Sequence, residues 1–326
     1  MAKEKIRFLG DTLGLAPFPL RIKQALVTIR GEEAVPPSRW GLSSLKQLYP
    51  KVALKLWRGT CFVPNKVIIS NLFNHTPTSH ENGWSVRKTQ TLDFRGRGLT
   101  YDSHNGTDFA IPVGTTVCTA AAGKVVHVIS EFNRGGLKIF IDHGEGLMTC
   151  YAHLAKSLVQ VGDILHRGQA IAISGYSGID GAVTFPFGIP HVHFNVWLNG
   201  LPIDPFAIDG QTSLWRNGVM PSFATDTNPH FVISEYNQNF VMEAIEGCKT
   251  PSVKERILML SSLEEKAVQV IIEMNYYPTR FAKHMSVFVA TYPRKPMLDL
   301  PFSANDFNGV VFLDDLPLRR NENKLV

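Results

Sequence analysis

Five side chains of this chain could do chemistry together: His104, Asp108, His153, His191 and His193. The first pair lies in Ser103-His104-Asn105-Gly106-Thr107-Asp108 and the last in Pro190-His191-Val192-His193-Phe194, with His153 between them in Tyr151-Ala152-His153-Leu154. Imidazole nitrogens and carboxylate oxygens are ligands that Zn²⁺ takes, and a catalytic site uses three, leaving one position open for water. The inventory is that of a zinc-dependent hydrolase. Any one of these histidines taken singly reads as a surface or hydrogen-bonded core residue. Jointly they escape that reading, because two short motifs and a third histidine occur in order within one domain-sized segment. His75, His80, His127, His166, His230 and His284 have no patterned partner, and His143, at a strand-to-turn junction, reads as structural.

The spacing has consequences for the backbone. Positions four apart on an extended strand lie roughly 13 Å from each other, too far to share an ion whose ligands sit at about 2 Å. The chain must therefore bend between His104 and Asp108, and Asn105-Gly106 is a strong turn signal because both residue types tolerate positive φ. His191 and His193 obey the period-two rule: on a strand both point to one face, about 6.5 Å apart along it. Both could bind a metal, or one could bind while the other works on the water beside it. Spacing leaves both arrangements open.

The elements around these residues read as hairpins. Leu137-Lys138-Ile139-Phe140-Ile141 and Leu147-Met148-Thr149-Cys150-Tyr151-Ala152-His153 are expected strands joined by His143-Gly144-Glu145-Gly146, and residues 160–174 repeat the theme. His193-Phe194-Asn195-Val196-Trp197-Leu198 is a further strand, broken at Asn199-Gly200. The expectation is a mainly β fold, an antiparallel sheet with the site on one face. Residues 1–85 read as a mixed N-terminal extension, with a break at Pro36-Pro37-Ser38, a helix over 43–56, a strand or strand pair over 61–69 and a loop over 74–83. Packing support is its expected role, ahead of occupying the groove. Residues 211–326 read as a small α+β region, helical over 253–274, with strands over 285–290 and 310–313 and a frayed tail over 319–324. The chain thus divides into 1–85, 86–210 and 211–326.

At these motifs the chain resembles peptidase family M23, the lysostaphin/LytM-type zinc metallopeptidases. The family pattern H-x-x-x-D, then Y-x-H-L, then H-x-H is present in order. Pro112-Val113-Gly114-Thr115-Thr116-Val117 with Ala121-Ala122-Gly123-Lys124-Val125-Val126 resembles its first hairpin. Gly162-Asp163-Ile164-Leu165-His166-Arg167-Gly168-Gln169 and Ile203-Asp204-Pro205-Phe206 resemble its later signatures. The likeness covers roughly residues 86–210. It implies an antiparallel β-sheet metallopeptidase domain, one Zn²⁺ per chain held by His104, Asp108 and His193, and His153 and His191 as a catalytic pair. It also implies hydrolysis of peptide bonds in peptidoglycan cross-links. Two departures stand out. A longer loop containing Phe185-Pro186-Phe187-Gly188 precedes His191, placed to line or cover the groove, and Asn195 stands where the family commonly has glutamate. Tyr151, Phe185, Phe187 and Asn195 are the substrate-groove candidates.

Composition bounds the rest. Hydrophobic content of 44% is ordinary for a globular protein, and no stretch approaches the ~20 apolar residues that span a membrane. The 33 Lys and Arg against 28 Asp and Glu leave a mild positive balance, suited to polyanions such as wall polymers and equally to a neutral partner. No basic block or zinc-finger spacing argues for nucleic acid. Asp11 and Pro17 interrupt what would be the apolar core of a secretory signal, and the four cysteines show no C-x-x-C pair. These features favour a cytoplasmic protein, whereas a wall substrate demands the cell envelope or secretion by a non-Sec route. Beside the endopeptidase reading stand a non-catalytic wall-binding or amidase-activating module and a zinc peptidase with another intracellular or interbacterial target.

Overall fold

A computed structural model describes residues 9–76, 78–208 and 210–318. Its frame is one sheet of eleven strands. In chain order they are β1 (Val67–Asn71), β2 (Thr107–Ala110), β3 (Thr116–Cys118), β4 (Gly123–Glu131), β5 (Gly136–Asp142), β6 (Leu147–Ser157), β7 (Ile164–Leu165), β8 (Ala170–Ser174), β9 (His191–Leu198), β10 (Leu201–Pro202) and β11 (Val310–Phe312). The main path runs β11-β1-β2-β9-β6-β5-β4-β7, with β10 on β9 and the β3–β8 pair joined to β6. The protein is mainly β, and every pairing is antiparallel except β1 with β11. Through those two strands the N-terminal and C-terminal regions extend the same sheet that carries the histidine motifs.

Period two on β9 sorts its side chains onto two faces. Val192, Phe194, Val196 and Leu198 enter the larger core with Phe109, Tyr151 and Trp215. Trp197 goes the other way, into a second core with Phe140, Met148 and Cys150. That second face is roofed by α4 (Gln238–Glu246), α5 (Pro251–Leu258) and α6 (Leu263–Tyr276), which follow α1 (Phe18–Arg30), α2 (Pro50–Trp57) and α3 (Ile179–Thr184) in the chain. Val241, Ile245, Ile257 and Ile271 supply the roof's apolar side, and each such burial contributes about 1.5–3 kcal/mol.

Several elements differ from expectation for identifiable reasons. The helix expected over 43–56 divides into a 3₁₀ turn, Leu42–Gln47, and α2, because Pro50 starts a new helix at a position needing no N–H. The helix expected over 253–274 is likewise two. Ser262 accepts from Glu265 N and Glu265 reaches back to Ser262 N, a capping box that starts α6 afresh. Within 61–69 only the end is strand, β1. Residues 285–290 form no strand; Phe288 makes an isolated bridge to Tyr236. The tail over 319–324 lies outside the described residues.

Candidate metal centre

Strand β9 lies between β2 and β6, and this order assembles the site. Asp108 on β2 is directly opposite His193, and Ala110 is opposite His191. Directly paired residues share a face, so Asp108, His191 and His193 meet on the face that carries Trp197 further along. His104 precedes β2, and the bend at Asn105-Gly106 brings it back over Asp108. A Cβ on Gly106 would come within 2.8 Å of Phe194 O and 2.9 Å of His193 Cε1, so only glycine allows the turn to lie this close to β9.

His153 reaches the same face by a different device. On a regular strand Tyr151 and His153 would share a face, because they are two apart. Here Ile139 pairs with Tyr151 but Leu137 with Leu154, so β6 carries one extra residue. His153 sits in that bulge at φ +62°, a conformation costing a non-glycine residue about 1–2 kcal/mol. The bulge sends Tyr151 and Leu154 into the larger core and leaves His153 beside His191, their ring centroids 4.8 Å apart. Its N–H donates to Gly135 O at 2.7 Å, which holds the strained residue in place.

The donor atoms converge. His104 Nε2 lies 3.0 Å from Asp108 Oδ1 and 3.1 Å from His193 Nδ1, and His193 Nδ1 is 2.7 Å from the same Oδ1. One ligand atom from each of the three residues falls within 4.8 Å of the others. A carbonyl can only accept, so the contacts of His104 Nδ1 with Leu72 O (2.6 Å), His153 Nδ1 with Ser177 O (2.8 Å) and His191 Nδ1 with Ile189 O (2.8 Å) place a proton on each Nδ1. In the neutral ring this leaves Nε2 as a lone pair. His104 would then aim a lone pair at a carboxylate oxygen 3.0 Å away, which is repulsive unless positive charge lies between them. A cation meets that need, and the donor set is compatible with a metal. Asn71 Nδ2 donates to the other Asp108 oxygen at 2.8 Å, fixing which oxygen faces the histidines.

The electrostatics agree. Burial acts to raise the Asp108 pKa, but His104 and His191 outweigh it and hold the carboxyl well below its usual range. Burial, reinforced by His191, holds His153 well below the ordinary imidazole value, and burial also lowers His193. His143 hydrogen-bonds Ala122 O and Thr149 Oγ1 away from the site, and burial pushes it down to about 4.

A cleft of about 390 Å³ opens over Asp108, His153 and His191. Phe185 and Phe187 line one wall with α3, and Trp40, Leu45 and Leu48 of the N-terminal region line the other. Trp57 secures the first wall by an edge contact to Phe185 and by donating Nε1–H to Gly188 O at 3.1 Å. The other two groove candidates lie elsewhere. Tyr151 is fully buried, its hydroxyl accepting from Ala120 N at 2.8 Å. Asn195 is buried, donating to Asn105 O and accepting from Tyr276 OH. Sequence reasoning missed Asn71, Arg134, Tyr176 and Asp180. None stands in a spaced motif, and each reaches the site only through tertiary folding.

Comparison with known proteins finds similarity over the segment that carries these motifs. A family model described as Peptidase family M23 matches residues 102–205. The peptidoglycan DD-endopeptidase ShyA of Vibrio cholerae serotype O1 is 42% identical over 101 residues, 31% of this chain and 22% of that protein. Lysostaphin of Staphylococcus simulans is 34% identical over 103 residues, 31% of this chain and 20% of that protein. A crystal structure of a zinc containing peptidase from Vibrio cholerae aligns with TM-score 0.33 and 29% identity over 45% of this chain and 40% of that one. The chain spans between a fifth and a quarter of the length of the first curated relatives it matches. Among the described residues no helix is long and apolar enough to cross a membrane. The motifs read from the sequence and this match fall on the same segment, residues 102–205, which is similar to peptidase family M23.

Proposed function

We propose that this protein is a zinc-dependent endopeptidase that hydrolyses peptide bonds in peptidoglycan cross-links, with residues 86–210 as its catalytic unit. The observation that carries this reading is the convergence of His104 Nε2, Asp108 Oδ1 and His193 Nδ1 beneath a cleft that also exposes His153 and His191. Two nitrogens and one carboxylate oxygen suit zinc better than hard cations, which prefer all-oxygen sets. When bound there, zinc supplies positive charge that polarises a carbonyl and lowers the pKa of water from 15.7 to about 7.

The chain's own groups do the rest. His153 and His191 each spend Nδ1–H on a backbone carbonyl, so in the neutral ring each offers an Nε2 lone pair. Either can take the proton of the attacking water through Nε2, and the other, once protonated, donates to the oxyanion that develops at the scissile carbonyl. The proton then passes to the leaving amine. Phe185 and Phe187 exclude water from one side of the bound peptide.

The peptidoglycan substrate rests on relatives named peptidoglycan DD-endopeptidases, and it implies action in the cell envelope. The test is digestion of defined peptidoglycan fragments by the purified protein, with and without a chelator and with zinc restored, followed by mass identification of the cut bond. Zinc-dependent cleavage of a cross-link supports the reading; a zinc-loaded, folded protein that cuts no fragment defeats it.

A further inference from the structure

Beside the cleft lies a second, smaller cavity of about 50 Å³ whose lining includes His153, His193, Arg134 and Asp180. Neither charged residue belongs to the ligand cluster or the histidine pair. Arg134 Nη1 donates to Ser38 Oγ at 3.1 Å and to Asn133 O at 3.4 Å, while its Nε is buried with no hydrogen-bond partner. Among the described residues it has no carboxylate in ion-pair range, and the Asp180 carboxylate has no cation in that range. Burial pushes the Asp180 carboxyl up and the Arg134 charge opposes that without bonding to it, so a ligand carrying both charges would complete the two groups.

Both groups are held ready. Arg134 sits in the β4–β5 turn, where Phe132 O accepts from Ile179 N at 2.7 Å and Gly135 O accepts from His153 N at 2.7 Å. The first bond ties the turn to the residue before Asp180, and the second ties it to the catalytic candidate itself. Asn133 Nδ2 donates to Tyr277 OH at 3.1 Å, and the Arg134 guanidinium lies against the Trp84 and Tyr277 rings. A cation and an anion therefore line one cavity, sized for a polar head group rather than a whole residue.

We propose that Arg134 and Asp180 form a subsite for an amino-acid head group on the amine side of the scissile bond, Arg134 taking a free α-carboxylate and Asp180 the amine. This deepens the endopeptidase reading and rests on it. In the reaction, R–CO–NH–CH(COO⁻)–R′ and water give R–COO⁻ and ⁺H₃N–CH(COO⁻)–R′. The water oxygen bonds to the carbonyl carbon, the C–N bond breaks, and the nitrogen leaves with the proton. Asp180 faces that new ammonium, and Arg134 faces the carboxylate present throughout. A free carboxylate at that carbon exists where a diamino dicarboxylic acid is joined through the amine of its second amino-acid end; a lysine joined through its side chain lacks it. It is absent from the interior of a glycine bridge.

The test compares three synthetic cross-linked peptides that differ only at that carbon: carboxylate, carboxamide or hydrogen. The wild-type protein should favour the carboxylate by about 10-fold or more in kcat/KM, the scale of a charge-assisted bidentate contact. Arg134→Met should bring that ratio close to one, and Arg134→Lys, which keeps the charge and the packing stem, should restore part of it. Calorimetric binding of the amine-side product needs no turnover. It should weaken about 10-fold in Arg134→Met, and in Asp180→Asn it should weaken for the free amine but not for its N-acetylated form. Equal wild-type rates on carboxylate and carboxamide, or product binding indifferent to Arg134→Met in a variant of unchanged circular dichroism, overturns the subsite. Product binding that depends on Arg134 while no peptide is cut retains the subsite and overturns the endopeptidase reading instead.

Discussion

One face of the sheet has two halves built on opposite principles. Along β9, Trp197 enters a half closed by α4, α5 and α6, where it packs in one core with Phe140, Met148 and Cys150. Four residues earlier the same face presents His193, then His191, opposite Asp108 and beneath an open cleft. The strand pairing is continuous across both halves; what differs is the roof. Where helices cover the sheet, apolar side chains stabilise the fold. Where they stop, His104, His153 and His191 lie beside the rings of Tyr101 and Tyr176 and are oriented by backbone carbonyls. Asn195 marks the seam, reaching Tyr276 of the roof with one end and the Asn105 turn with the other.

Substitutions in the two halves should separate metal and activity from stability. His193→Ala in the open half should abolish zinc retention and lower cleavage on the order of 10³-fold or more, with little change in melting temperature of the metal-free protein. Metal analysis beside a turnover assay checks this, and a variant that keeps one zinc removes His193 from the ligand set. His153→Gly should lower turnover about 10²–10⁴-fold, the worth of a positioned acid–base group. Stability should stay within about 1 kcal/mol of the parent, because glycine relieves the left-handed strain at φ +62°. A large loss of stability in denaturant titration would mean that the ring is chiefly structural.

In the covered half, Trp197→Ala should cost about 3–5 kcal/mol while the folded fraction still binds one zinc. A smaller stability effect belongs to Glu131, whose carboxylate lies 2.6 Å from the fully buried Lys138 ammonium. Burial opposes it, but Lys138 prevails and holds the Glu131 pKa below its ordinary value. The pair therefore stabilises the fold above the unfolded-state value of about 4.3, and that contribution is lost as pH falls through the lower folded value. Glu131→Gln should cost roughly 2 kcal/mol at neutral pH and flatten the acid limb of the unfolding curve. Asn71→Ala is expected to have the mildest effect, weakening zinc affinity about 10-fold by freeing the second Asp108 oxygen. Competition with a chromophoric chelator would measure it.

Much of this was legible in order along the chain. The H-x-x-x-D bend, the H-x-H strand and the hairpin theme are local signals, because turns need particular residues and strands alternate with period two. Phe185 and Phe187 could be placed in the cleft wall because the loop that holds them leads directly into His191. Asn195 and Tyr151 illustrate the opposite case. The family resemblance put them among the groove candidates, but Tyr151 pairs with Phe194 and faces the core, and the helical roof covers Asn195. Helix ends at Pro50 and Ser262 were also written in the chain, as a proline and a capping pair whose meaning became plain once the breaks were seen.

The amino-acid order by itself determined which groups are available for metal chemistry and which short turns and strands carry them, since those depend on neighbours a few residues away. Only the tertiary structure decided that Asn71 steadies Asp108, that His153 crosses to the working face, and that Arg134 and Asp180 share a cavity. Asn71 and Asp108, for example, stand 37 positions apart in the chain. At such separations no local periodicity survives, and strand order and side-chain packing select the partner.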